Sequence, residues 1–380
     1  MMSSSKDETI ATLTARCLCK KHVYTTDIEA SKLPLPAYAC HCTSCRHCTG
    51  SLYSIDTPWP TPPASIDTSS LSSYAFSKRI QILFCGTCST PMFWKSPLEP
   101  DKELGAFTGT IENVKGDGEV VRLAHHIYVD DTMDGGATMW LKGKEWQAGE
   151  KEVPRYKQGS QDPPVELLPL DWPPAESLTG YENKSEDSIP IRCHCKGVNF
   201  AFHRGNYAGK TKDELPWYID PTAHKSLADF CACDSCRLFA GVDVVNWTYS
   251  ALEYITDPSG QILAPTTSDL RALVDAKDAK IGSLKYIASH KDVQRYFCAT
   301  CSACVFYATD SRPDMVDVAT GVLDAKDGAR AEGMLSWKFG KVDSLRDAEG
   351  GWREAWLRRI EGESEGFRAG RGYPESWFKS

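Results

Sequence analysis

The sequence predicts a mostly β protein built as a tandem pair of coiled small-sheet domains, and three observations predict it. Cysteine clusters of one design occur twice in the same order. The segments rich in β-branched and aromatic residues are short and divided by Gly and Pro. Helical periodicity is confined to two stretches. A chain of 380 residues is also long for one average domain and comfortable for two.

The repeat comes first, because self-similarity fixes the architecture before any single element does. The first half carries Cys17-x-Cys19, Cys40-x-Cys42-x-x-Cys45 and Cys85-x-x-Cys88. The second carries Cys193-x-Cys195, Cys231-x-Cys233-x-x-Cys236 and Cys298-x-x-Cys301. Flanking residues repeat as well: Cys45-Arg46 with Gly50 matches Cys236-Arg237 with Gly241, and Gln81 and Phe84-Cys85 match Gln294 and Phe297-Cys298. Further on, Phe107-Thr108-Gly109-Thr110-Ile111-Glu112 recurs as Ala319-Thr320-Gly321-Val322-Leu323-Asp324. Fourteen of the sixteen cysteines are thereby used; Cys48 aligns with Phe239 and Cys304 with Pro91.

Strands are expected over Ile80–Phe84, Gly105–Ile111, Ile127–Val129, Val242–Tyr249, Tyr296–Phe297 and Val316–Leu323. Helical spacing marks Thr267–Lys280 and the C-terminal stripe of Trp352, Trp356, Leu357 and Ile360, which reads as a docked core face. Pro154, Pro163, Pro164, Pro169, Pro173, Pro174 and Pro190 argue against a helix or central strand between the repeats. The expected organisation is a first domain at 13–150, a loosely docked Pro-rich linker at 151–189, a second domain at 190–345, and a C-terminal helix and tail at 346–380.

With 41% hydrophobic and 25% charged residues, both halves can bury a core without cysteine staples. A net charge of −8 argues against a nucleic-acid or anionic-membrane binder, which needs a basic surplus. No apolar run approaches the ~20 residues of a membrane span. The polar start, Ser3 to Glu8, lacks the apolar stretch of a signal peptide, so the expected location is cytoplasmic or nucleocytoplasmic. In a reducing compartment, clustered cysteines point to metal or redox chemistry rather than disulfides.

Seven thiolates per repeat divide as four plus three. The early Cys-x-Cys and late Cys-x-x-Cys pairs can clamp distant chain segments in a closed tetrahedral site. The central Cys-x-Cys-x-x-Cys supplies three ligands and leaves a fourth position open, as zinc has where it does chemistry. One structural zinc per domain beside three free cysteines is the competing division. Cys48 extends the first triad as Cys45-x-x-Cys48 and is either its fourth ligand or a nearby free thiol.

Both repeats resemble the family of glutathione-dependent formaldehyde-activating enzymes, which includes centromere protein V. The resemblance rests on the three cysteine clusters, on Phe84-Cys85-Gly-Thr-Cys88 and Phe297-Cys298-Ala-Thr-Cys301, and on Thr108-Gly109-Thr110 and Thr320-Gly321. It implies zinc-binding sheets similar to the methionine sulfoxide reductase B-like fold, with two zincs per domain. The structural zinc would sit on Cys17, Cys19, Cys85 and Cys88, and again on Cys193, Cys195, Cys298 and Cys301. The labile one would sit on Cys40, Cys42 and Cys45, and again on Cys231, Cys233 and Cys236. It implies a carbon–sulfur lyase with glutathione as co-substrate and a small-molecule thiol or electrophile as partner.

Two departures stand out: Ser89 and Ser302 follow the last Cys-x-x-Cys where the family has Gly, and the second repeat carries an insertion, Lys196–Phe230. That insertion, with Leu335-Ser336-Trp337 where the first repeat has His125-His126-Ile127, sets the second repeat's activity in question. Arg46 and Arg237 could pair with a glutathione carboxylate, although a structural role on nearby carbonyls suits single arginines better. His125 and His126 are acid–base candidates, and His41 reads as a histidine turned away from the metal. Two other functions fit the cysteines: a non-catalytic zinc module, and a redox enzyme using Cys48 or Cys304 as an accessible thiol.

Overall fold

The computed structural model describes residues 9–115, 118–143, 153–161 and 163–379; the polar Ser3–Glu8 stretch lies outside them. In the first half the strands are β1 (Ile10–Arg16), β2 (Val23–Glu29), β3 (Leu35–Cys40), β4 (Ser54–Pro58), β5 (Ser72–Ala75), β6 (Gln81–Phe84), β7 (Pro91–Lys95), β8 (Leu104–Phe107) and β9 (Val121–Ile127). A short helix α1 (Thr43–Thr49) separates β3 from β4. In the second half they are β10 (Ser188–Arg192), β11 (Asn199–His203), β12 (Ser226–Cys231), β13 (Val245–Ala251), β14 (Ile255–Thr256), β15 (Leu284–His290), β16 (Val293–Cys298), β17 (Cys304–Thr309), β18 (Met315–Ala319) and β19 (Leu335–Trp337). Helices α2 (Asp234–Ala240), α3 (Thr267–Asp275) and α4 (Arg353–Gly370) complete this half.

Each half is built on a seven-stranded sheet of one topology, β5-β6-β7-β8-β4-β3-β9 in the first and β15-β16-β17-β18-β13-β12-β19 in the second. Pairing is antiparallel except at the end, where β9 runs parallel to β3 and β19 parallel to β12. β1 and β2 pair beside the first sheet, and β10, β11 and β14 beside the second. Even ion pairs repeat: Arg16–Glu112 at 2.8 Å is matched by Arg192–Asp324 at 3.0 Å. The mostly β, two-copy architecture is therefore that expected from the cysteine repeat.

Several elements differ from the sequence expectation, for local reasons. Thr108–Thr110 and Thr320–Val322 are single 3-10 turns rather than strand ends. Hydrogen bonds from their glycines to the opposite half, Gly109 N to Gly241 O at 3.1 Å and Gly321 N to Gly50 O at 2.9 Å, replace the ladder. The strand expected at Ile127–Val129 lies earlier, where Val121 and Leu123 alternate inward. The Pro-rich segment docks more closely than a loose linker: His126 N–H donates to Pro154 O and Tyr128 N–H to Gln158 O, at 2.9 and 3.0 Å.

The halves face each other across a pseudo-two-fold arrangement. α1 packs on the Thr320–Val322 turn and α2 on the Thr108–Thr110 turn. These approaches require glycine: a Cβ on Gly109 would stand 2.3 Å from the Gly241 carbonyl carbon, and one on Gly321 would stand 2.2 Å from Ser51 O. Helix α4 closes the assembly. Arg353 at its start donates to Asp243 at 2.7 Å and to the Thr108 carbonyl, while Thr108 Oγ1 donates to the same carboxylate at 2.6 Å. Further along, Phe367 joins Trp140, Phe230, Trp337 and Phe339 in one aromatic cluster drawn from both halves.

Candidate metal centres

The chain ends its strands so that distant thiols converge. Cys17 follows β1, and the turn that brings Cys19 back beside it places Lys20 at φ 62°. Cys85 and Cys88 arrive from the β6–β7 turn. Backbone donors converge on the same sulfurs: His22 N–H lies 3.3 Å from Cys17 Sγ and Cys19 N–H 3.4 Å from Cys88 Sγ. The second half repeats the design, with Val198 N–H at 3.2 Å from Cys193 Sγ and Cys301 N–H at 3.5 Å from Cys298 Sγ.

Within Cys17, Cys19, Cys85 and Cys88, and within Cys193, Cys195, Cys298 and Cys301, all sulfurs lie within 4.8 Å of one another. The closer pairs are 3.6 Å (Cys17–Cys19), 3.7 Å (Cys19–Cys85), 3.5 Å (Cys193–Cys195) and 3.4 Å (Cys195–Cys298). These exceed the ~2.05 Å of a disulfide. They approach the ~3.8 Å edge of a tetrahedron whose metal–sulfur distance is ~2.3 Å, so the donor sets fit zinc.

Cys40, Cys42 and Cys45 form a separate group of three, as do Cys231, Cys233 and Cys236. One strand end and one helix start supply each group. Cys42 is the N-cap of α1 and its sulfur accepts from Cys45 N–H at 3.2 Å; Cys233 caps α2 and accepts from Cys236 N–H at 3.3 Å. A helix N-terminus favours negative charge at both caps, but the two thiols differ: the hydrogen bond from Cys231 lowers Cys233, while Cys236 and burial outweigh it and push that thiol up to about 12. Hydrogen bonds from Cys40 and then Cys45 pull the Cys42 thiol down to about 3. Gly50 and Gly241, at φ 77° and 74°, end the two helices and return the chain to β4 and β13.

The surroundings of the first triad are aromatic. His41 is fully buried and its Nε2 lies 2.9 Å from His126 Nδ1, while His126 Nε2 lies 2.9 Å from the Leu141 carbonyl. A carbonyl only accepts, so His126 carries its proton on Nε2 and His41 donates to Nδ1. Burial pushes His126 down to about 3 and lowers His41 too, so both are neutral and committed to each other. His125 lies against Tyr38 with ring centroids 4.6 Å apart and planes tilted by 33°, half-buried, and burial lowers its pKa. Arg46 is buried and donates from Nη2 to Thr43 Oγ1 at 3.0 Å.

Around the second triad the polar groups differ. Arg237 turns its guanidinium to the carbonyls of Gly109 and Ile111 in the first half and to Asp234 at 2.7 Å. Arg295, on β16, reaches Cys236 instead, with Nη1 at 3.4 Å from the sulfur. Burial opposes its charge, but the neighbouring Cys236 sulfur holds the guanidinium above its ordinary pKa. Arg295 was not among the residues singled out from sequence. The signal was present, since Gln81 and Gln294 align and the next residues are Ile82 and Arg295.

Neither unmatched cysteine belongs to a triad group. Cys48 donates to the Cys301 carbonyl at 3.2 Å, and both Cys48 and Cys304 are buried, which pushes their thiols up. Neither offers the accessible low-pKa thiol that a redox role requires. Ser89 and Ser302 sit at φ 66° and 62°, a conformation that favours glycine.

Residues 12–131 match the family model described as glutathione-dependent formaldehyde-activating enzyme. The match ends before the second half, which is tied to the first by its cysteine clusters and sheet topology. None of the curated proteins compared with the chain matches it. Among the described residues, no helix is long and apolar enough to cross a membrane.

Proposed function

We propose, from a chain whose residues 12–131 form a domain of that family, that it is a zinc-dependent carbon–sulfur lyase or synthase acting on glutathione adducts of an aldehyde or another small electrophile. The observation that carries this reading is the separation of three thiols from four in each half. The four-thiol clusters can complete a tetrahedron alone, and each triad leaves one ligand position that none of the described residues supplies. Zinc held by a triad would supply an electrophilic centre that favours the deprotonated form of an incoming thiol.

The chain's own groups set up the rest. The Cys45 and Cys236 amides hold Cys42 and Cys233 in place, and the buried His41–His126 pair fixes the Cys40–Cys42 loop from behind. His125, whose pKa burial lowers and which lies against Tyr38, two residues before Cys40, is on this reading the group that would take a proton at the first triad. In the synthetic direction the thiol sulfur bonds to the carbonyl carbon, the π pair moves to oxygen, and oxygen takes the proton the thiol gives up. Cleavage is the reverse, so no oxidant or reductant is needed.

Exchange spectroscopy on 13C-formaldehyde, glutathione and their hydroxymethyl adduct tests the proposal. The full-length zinc-loaded protein should accelerate exchange, and Cys42→Ser with Cys233→Ser should return it to the spontaneous rate. Exchange at the spontaneous rate with the parent protein would refute it.

A further inference from the structure

The two triads face different chemistry, and strand register makes the comparison residue by residue. In the second sheet Arg295 is opposite Tyr307, Tyr307 opposite Asp317, and Asp317 opposite Tyr249. Directly opposed residues share a face. Asp229 is opposite Trp247, two residues before Cys231 and so on that ligand's side of β12. In the first sheet the same positions hold Ile82 opposite Trp94, Trp94 opposite Gly105, Gly105 opposite Pro58, and Tyr38 opposite Asp56. The Trp94 indole fills the first face so closely that a Cβ on Gly105 would stand 2.1 Å from its Nε1.

The second face is a connected polar row. Arg295 contacts Cys236, takes Ser289 Oγ as acceptor at 3.1 Å, and lies over the Tyr307 ring at 5.1 Å. Arg312 pairs with Asp317 at 2.8 Å. Tyr249 OH donates to Asp229 Oδ2 at 2.5 Å, while Asp229 Oδ1 is buried without a partner in a residue 3% exposed. A buried carboxyl oxygen without a partner is costly unless a ligand hydrogen-bonds to it. The insertion covers this end: Trp217 meets Tyr249 at 4.7 Å and Phe378 meets Trp217 at 5.0 Å.

We propose that this face is a substrate site specific to the second triad, taking a thiol or thioether that bears a hydroxyl or ammonium donor a few bonds from sulfur. Asp229 Oδ1 accepts from that donor, and Arg295 is a positioning residue that holds Cys236. The hydroxyl of an aldehyde–thiol adduct is two bonds from sulfur and meets this description. Asp229 and Cys231 are about 6.8 Å apart along the strand, a span such a ligand bridges. The inference rests on the triads being thiol-binding metal sites and assigns recognition by Asp229 and Arg295 to the second. On the first face Tyr38 and Ile82 stand in their places, and the carboxyl is Asp56, at the Trp247 position.

Cobalt-substituted full-length protein tests it through the thiolate-to-cobalt absorption. Cys42→Ser isolates the second triad and Cys233→Ser the first, with the four-thiol clusters as constant background. Titration with 2-mercaptoethanol, cysteamine and ethanethiol separates hydroxyl, ammonium and neither. At the second triad both polar thiols should bind about tenfold more tightly than ethanethiol, the size expected for one hydrogen bond to a buried carboxyl group. Asp229→Asn should lose the preference for cysteamine, and Arg295→Ile should speed cobalt release to a chelator while Arg295→Lys restores the slow rate. Equal affinities at the second triad, unchanged in Asp229→Asn, would overturn the inference and leave the thiol-binding reading intact. Absence of any spectral change at either triad would overturn both.

Discussion

At the residue scale, two serines explain why their positions favour glycine. Ser89 and Ser302 carry positive φ beside the last ligand of each four-thiol cluster, but their hydroxyls are not equivalent. Ser89 Oγ donates to the Ser302 carbonyl at 2.8 Å, whereas Ser302 Oγ is buried without a partner. Ser302→Gly should therefore stabilise the fold by about 1 kcal/mol, by relief of the left-handed conformation and of an unmet hydroxyl. Ser89→Gly should gain less, and chemical denaturation of the two variants checks the order. His126 gives a pH prediction. Burial lowers its folded pKa to about 3, below the ~6.5 of an unfolded histidine, so the unfolded chain binds more protons between those values. Its contribution is fully present above pH 6.5 and is lost as pH falls toward 3. Denaturant midpoints at pH 7.5, 6.5 and 5.5 should fall with acidification, less steeply in His126→Gln, which keeps a donor for the Leu141 carbonyl.

At the element scale, the repeated Thr-Gly motif is an interface device. Gly321→Ala drives a Cβ into Ser51 backbone and should cost about 1–3 kcal/mol, more than an exposed Gly→Ala such as Gly118→Ala, where nothing stands within 4 Å. Thermal melts of the pair measure the difference. This role was not legible in the sequence, because Phe107–Ile111 alternates like a strand and only the opposite half shows where its hydrogen bonds go. Helices α1 and α2 were equally hidden: each is a seven-residue helix that begins on a cysteine cap, and Arg46 is the one strong helix former in Thr43–Thr49. The cysteine clusters, by contrast, favoured a division into four and three by their spacing, with other divisions open, and the sulfurs gather in those groups. The polar row of the second sheet needed register, because Ile82 and Arg295 reveal their difference only once both are placed beside a triad.

At the scale of the whole molecule, the halves depend on each other. His194, between two thiols of the second four-thiol cluster, accepts a 2.6 Å hydrogen bond from or donates one to Tyr74 and stacks on Phe76, both of the first half. The repeat was legible as two copies, but their mutual support was not, since it joins residues over a hundred positions apart. The insertion read as a reason to question the second half instead roofs the polar face beside its triad. The proposed function requires two kinds of metal site per half, one closed and one open to thiols. Zinc per chain, measured by elemental analysis before and after glutathione treatment and desalting, distinguishes them. Nearly four zincs should fall toward two, whereas a fixed value of two would mean triads without metal and would refute the open sites.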